Sequence, residues 1–199
     1  MRKFLLGLVL GFLALVGARY VFMPPQLATH FHANFAVFIQ GKRVDFSGDQ
    51  YMEDIQGCKL SNTLLQPEER THMHNNVSDV VHVHDHGVTW GHFFANIGFT
   101  FDQIHLMTDE GKAYSNDVSN TLKFILNDEP VPNPYNRLIA SEDRFLISYG
   151  PEAPEELMGS EWLDIADTAA GHNEHPDPGS CSGEIPLDFW VKLKKAVWF

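Results

Sequence analysis

Six of the chain's eleven histidines fall between His72 and His92, in the run THMHNNVSDVVHVHDHGVTWGH. Their spacing says more than their number. His72 and His74 are two apart, and so are His82, His84 and His86. In an extended strand, residues two apart share a face. Each H-x-H therefore presents two imidazoles on one side of one strand. Asn75-Asn76-Val77-Ser78-Asp79 separates the two groups and is rich in turn formers. The reading is a β-hairpin with its turn near Asn76–Ser78, His74 opposite His82 and His72 opposite His84. Opposed residues in an antiparallel pair share a face, with Cβ atoms roughly 5 Å apart. Four imidazoles then converge on one patch, a geometry suited to copper, zinc, nickel or iron.

Parity decides this arrangement. If opposed residue numbers sum to an even value, His72, His74, His82 and His84 share one face. A slip of one residue sends the two pairs to opposite faces. The apolar pattern favours the even register, because Met73, Val81 and Val83 then share the other face and enter a core. His86 extends the patch if the strand continues. A third H-x-H, His30 and His32, opens the strand Thr29–Ile39 and can join from a neighbouring hairpin. The candidate metal ligands are thus His72, His74, His82, His84, His86, His30 and His32, and the expected ion is copper or zinc.

The elements that hold these residues follow from periodicity and breakers. Gln40-Gly41-Lys42 turns the chain after the first strand, and Arg43–Phe46 returns. Pro67-Glu68-Glu69 starts a loop or short helix. Trp90, Phe93, Phe94 and Ile97 recur at helical spacing, with Thr89 as N-cap and Gly98 as the terminating residue. Ile104–Met107, Thr121–Leu126 and Glu142–Gly150 read as strands, with Asn127-Asp128 a turn. Phe38–Val44 and Phe124–Val131 echo each other as strand, polar turn, valine. Leu163–Ala170 reads as helical. His172 and His175 sit in a loop, and the tail Leu187–Phe199 reads as a docked final strand, with a membrane-surface contact as the alternative.

The N-terminus is an export or anchoring segment. Arg2 and Lys3 precede an apolar run from Phe4 to Ala18, and Arg19 interrupts before Tyr20–Met23. Cleavage after Val16-Gly17-Ala18 competes with an uncleaved anchor of about 20 residues. We favour the anchor, giving residues 1–25 as a transmembrane helix and 26–199 as an extracytoplasmic, periplasmic or cell-surface, domain. Cys58 and Cys181 fit an oxidising compartment, and a disulfide between them would be worth roughly 4–5 kcal/mol. The net charge of −12 argues against nucleic acid as a partner and suits cations.

The strand Glu142–Gly150, with its acidic turn and Tyr-Gly end, resembles the last strand of ubiquitin-like sulfur carriers, as does the order hairpin, helix, strand, strand. That resemblance implies an α+β fold with a β-rich, β-grasp-like mixed sheet and one short packed helix. The motifs His30–Ala36, His72-Met73-His74 and His82–Phe94 resemble a family of small, membrane-anchored, histidine-rich extracytoplasmic proteins of bacteria and archaea. That resemblance implies an exported domain with a histidine cluster and no particular activity.

Three functions compete. The first is a metal carrier, sensor or accessory subunit, with Met52, Met73 and Met107 as additional soft ligands. The second is a structural subunit that meets a partner protein in a membrane complex. The third is a metalloenzyme in which three histidines leave a position open for water, with Glu53, Glu69 or Asp85 as base. No H-E-x-x-H motif fixes that base, so a non-enzyme ranks first.

Overall fold

The computed structural model describes residues 2–23, 26–27, 29–53, 66–175, 184–185 and 189–198. Cys58 and Cys181, expected to pair, lie outside the described residues. In chain order the elements are α1 (Arg2–Val21), β1 (Gln26–Leu27), β2 (Phe31–Ile39), β3 (Lys42–Arg43), α2 (Pro67–Arg70), β4 (Thr71–His72), β5 (Val80–Val83) and α3 (Trp90–Asn96). The chain continues with β6 (Thr100–Phe101), β7 (His105–Met107), β8 (Ala113–Ser115), β9 (Thr121–Leu126), β10 (Glu129–Pro130) and β11 (Arg144–Gly150). It ends with α4 (Pro154–Leu157), α5 (Ala169–Asn173), β12 (Glu184–Ile185) and α6 (Phe189–Val197).

Two compact units result. Met1–Ala28 and Gly183–Phe199 belong to one, Thr29–Lys59 and Leu65–Ser182 to the other. In the first, α1 is an apolar helix of 20 residues with none buried, long enough to cross a bilayer. β1 pairs antiparallel with β12. The tail is not the strand expected of it: Phe189–Val197 is helical. Phe189, Leu193 and Ala196 fall at i, i+4 and i+7, which is helix period.

The second unit is α+β and is built on a mixed sheet of strand order β10-β9-β11-β2-β5-β4, with β3 also on β2. β2 runs parallel to β11, Asn34 facing Arg144 through Ile39 facing Tyr149. Its other neighbour, β5, is antiparallel. A strand flanked on both sides is buried on both faces when both are covered, and β2 is buried from His32 to Phe38. Ala33, Phe35 and Val37 enter the main core with Met73, Val81, Val83, Phe145 and Ile147. α3 covers that core with Trp90, Phe93, Phe94 and Ile97, as the helical spacing predicts. Thr89 Oγ1 accepts from the His92 amide at 3.2 Å, and His92 Nδ1 accepts from the Thr89 amide at 3.2 Å, closing a capping box. His92 is thereby committed to the cap.

Two hairpins explain the internal echo. Gln40-Gly41 and Asn127-Asp128 both hold positive φ at each central residue (52° and 71°, 51° and 68°). That is the geometry that matches strand twist in a two-residue hairpin. β3 is shorter than the expected Arg43–Phe46 arm, because Phe46 leaves the ladder to bury its ring against Phe35 at 5.2 Å. The expected helix over Leu163–Ala170 is instead a 3-10 turn at Glu161–Asp164 followed by α5.

On the opposite face, Ala36, Phe38, Ile125 and Leu146 pack with Leu157, Trp162 and Ile165 in a second core. Glu161 is buried near it. Burial pushes the Glu161 carboxyl above its ordinary value of 4.5, and the Glu152 carboxylate adds to the effect. A carboxyl raised in the folded chain contributes stability below its unfolded pKa and loses it as pH rises through the folded value. Glu161→Gln is therefore expected to match the parent's stability near pH 4 and to exceed it increasingly toward neutrality. Urea unfolding at a series of pH values reads this; a stability difference that does not grow with pH would contradict it.

Candidate metal centre

The face of the sheet turned away from α3 changes character along β2. Ala36 and Phe38 are apolar, whereas His32 and Asn34, also on that face, are polar and fully buried. His32 lies opposite His82 on β5, and His82 lies opposite His72 on β4. All three imidazoles therefore project from one face. The even parity expected from the valines holds, and Met73, Val81 and Val83 do enter the main core. The register differs by two: His72 faces His82 rather than His84. The turn is also earlier, at Asn75-Asn76 with φ of 58° and 57°, closed by the Val77 amide on the His74 carbonyl at 3.2 Å. β5 lies between β2 and β4, giving four residues, Val80 to Val83, to the first and two to the second, so the place of the turn sets the offset.

His82 is the hub of the resulting cluster. Its ring centroid lies 3.8 Å from His74, 4.4 Å from His32, 5.9 Å from His72 and 6.1 Å from His30. His84 and His172 are each 6.4 Å away. His32, His72, His74 and His82 are buried, and His30, His84 and His172 are half-buried. His30, His82 and His84 each offer a ligand atom within 4.8 Å of the others, so these three could hold a metal ion. His30 and His84 stack at 4.8 Å, and His72 and His84 at 4.9 Å.

Hydrogen bonds select tautomers here. His72 Nδ1 faces the Glu68 carbonyl at 2.8 Å. A carbonyl only accepts, so His72 carries a proton on Nδ1. His32 Nδ1 likewise faces Asn173 Oδ1 at 2.8 Å. The Asn173 amide nitrogen donates to Ser141 Oγ at 3.0 Å and Glu142 Oε1 at 3.3 Å, which fixes the amide's orientation. His32 Nε2 is then an acceptor, and His82 Nδ1 donates to it at 2.9 Å. Such a chain orients a ligating imidazole from behind, as outer partners do at metal sites.

Six of the seven expected ligands, His30, His32, His72, His74, His82 and His84, are gathered in this cluster. His86 is not. β5 ends at Val83, the chain turns through Gly87 at φ 76°, and His86 is exposed with Nε2 2.9 Å from Thr29 Oγ1. Arg70 draws Asp85 out of the strand path with an ion pair of 2.9 Å, and Asp85 accepts from the His86 amide. The methionines do not join the cluster's face either. Met73 is buried in the main core, Met52 packs against that core and Met107 is 44% exposed. Of the candidate bases, Glu69 caps α2 through the Gln66 amide at 2.7 Å, and Asp85 is held by Arg70.

His172 is the residue that sequence reasoning missed. It arrives on α5, with its ring 5.4 Å from that of His32. Asn34 brings it there. Asn34 Oδ1 accepts from the amides of Thr168 at 3.0 Å and Ala169 at 2.9 Å, at the start of α5. Its amide nitrogen donates to the Asp79 carbonyl and to Thr168 Oγ1, both at 3.1 Å. Removing one partner of a buried hydrogen bond costs about 1–3 kcal/mol. Asn34→Leu is thus expected to destabilise the domain by about 1–3 kcal/mol and to raise hydrogen exchange selectively at the Thr168 and Ala169 amides. Unchanged exchange at those two amides would refute the clamp.

The chain matches no protein-family model, no curated protein and no solved structure. What defines it is an α+β domain with a mixed sheet, one helix-covered apolar face and a histidine cluster on the other.

Proposed function

We propose that this chain is a membrane-anchored metal-binding module whose histidine domain lies outside the cytoplasm, acting as a carrier, sensor or accessory subunit for copper or zinc. The observation that carries the reading is the convergence of His30, His82 and His84 within ligand distance of one another. Imidazole nitrogen suits both ions, and three such ligands leave a position for exchange with a partner or a solvent ligand. The hydrogen bonds of His72 Nδ1 to the Glu68 carbonyl, and of His32 to Asn173 and His82, support it, since partners of this kind orient ligating imidazoles. The acidic charge of the chain favours cations over anions. The apolar α1 with Arg2 and Lys3 at its start supports an anchor whose N-terminal end stays inside. The strand order β9-β11-β2-β5, with its parallel central pair and α3 on one face, supports the β-grasp-like description.

Elemental analysis of full-length protein, purified without a polyhistidine tag, tests the proposal. Copper or zinc retained in stoichiometric amount is the expected result. Protein that carries neither, and binds neither when titrated, would move the reading to a structural subunit of a membrane complex.

A further inference from the structure

The first unit holds a surface that the metal site leaves unexplained. α6 carries Lys192, Lys194 and Lys195 within nine residues and no acidic residue, in a chain of net charge −12. It also exposes large aromatics: Phe189 by 54%, Trp190 by 66% and, just beyond the helix, Trp198 by 75%. Tryptophan beside lysine on a short helix is costly to leave in water and favourable at a headgroup layer, where the indole is half-immersed and the ammonium meets phosphate.

The partner helix sets the level. α1 runs about 30 Å at 1.5 Å per residue, the thickness of a hydrocarbon core. Arg2 and Lys3 mark one end, Arg19 and Tyr20 the other. Tyrosine and arginine belong at the membrane–water boundary. α6 meets α1 at that second boundary. Arg19 Nη2 donates to the Lys195 carbonyl at 3.4 Å, Lys192 Nζ sits 4.7 Å above the Tyr20 ring, and Phe189 lies 6.0 Å from that ring. Ala196 is buried, while Trp190, Lys194 and Trp198 remain outward.

We infer that α6 is a second membrane element, lying in the headgroup layer of an anionic phospholipid bilayer at the outer end of α1. The inference rests on reading α1 as a span. The charge is complementary to phosphatidylglycerol-type headgroups, and the surface is continuous with the apolar anchor. Juxtamembrane lysines are each worth roughly a fivefold preference for anionic surfaces.

Full-length protein in nanodiscs of mixed phosphatidylcholine and phosphatidylglycerol, some lipids brominated near the glycerol end of the chain, tests this. Trp90 and Trp162 are buried in the histidine domain, so quenching reports on Trp190 and Trp198. Strong quenching is expected, lost in Trp190→Phe/Trp198→Phe. In Lys192→Gln/Lys194→Gln/Lys195→Gln it should lose its dependence on phosphatidylglycerol. Protein that resists extraction from vesicles by alkaline carbonate but shows no quenching would overturn the placement of α6 while leaving the span intact. Release by carbonate would remove the span, and the inference with it.

Discussion

Replacing His82 by alanine is expected to abolish tight metal binding while the domain remains folded. His82 is the residue around which the others are arranged, with six imidazole rings between 3.8 and 6.4 Å of its own. It is also one of the three residues whose ligand atoms converge. Losing an outer hydrogen-bond partner of a metal ligand costs 10- to 100-fold in affinity, so losing a ligand should cost roughly a hundredfold or more. The fold should survive because His82 faces away from the core that α3 covers. The expected stability loss is about 1–3 kcal/mol, from the His32 acceptor left without its donor. Competition against a chromophoric chelator measures the affinity, and circular dichroism the fold. His86→Ala is the matched control: its side chain is exposed and turned to Thr29, so affinity should not change. Parental affinity in His82→Ala would remove His82 from the metal centre and place the ion elsewhere.

Phe35→Ala should have the largest effect on stability. Phe35 is fully buried in the middle of β2. Its ring lies 4.9 Å from Phe93, 5.2 Å from Phe46 and 5.6 Å from Phe94, which joins the sheet to α3 and to the segment after β3. Truncating a buried phenylalanine costs about 3–5 kcal/mol, the transfer term plus the cavity that rigid neighbours leave. The same strand carries His32 and Asn34 on its other face, so the variant should also loosen the cluster and weaken metal binding. Urea unfolding of the detergent-solubilised chain measures the loss from the shift in midpoint. A loss below about 1 kcal/mol would mean that the aromatic core can collapse around the gap, contrary to close packing.

Much of this arrangement is legible in the sequence, because the decisive features are local. Valine alternating with histidine over Val81–His84 dictates which face enters the main core. Thr89, the aromatic spacing and Gly98 dictate α3 and its ends. Asn127-Asp128 and Gln40-Gly41 dictate two hairpins. The parts that are not legible depend on distant chain. The two-residue offset of His72 is an exception: it follows from a turn at Asn75-Asn76, which the run of turn formers Asn75–Asp79 does not single out. His86 continues the H-x-H alternation perfectly yet leaves the cluster, since Arg70 and Gly87 take the chain off the strand. His172 is recruited by an asparagine 138 positions earlier, which looks like any other polar strand residue. The tail misleads for a different reason. Lys192, Lys194 and Trp190 alternate with Val191 and Leu193 at strand period over five residues, while the helical set Phe189, Leu193 and Ala196 needs eight to declare itself.

X-ray absorption at the metal edge of untagged, full-length protein tests the central claim most directly. A first shell of nitrogen at about 2.0 Å with the outer-shell scattering of imidazole is the predicted spectrum, diminished in His30→Ala and His84→Ala and lost in His82→Ala. A sulfur shell, or an imidazole signal that persists unchanged in His82→Ala, would contradict the assignment of His30, His82 and His84 as the metal centre.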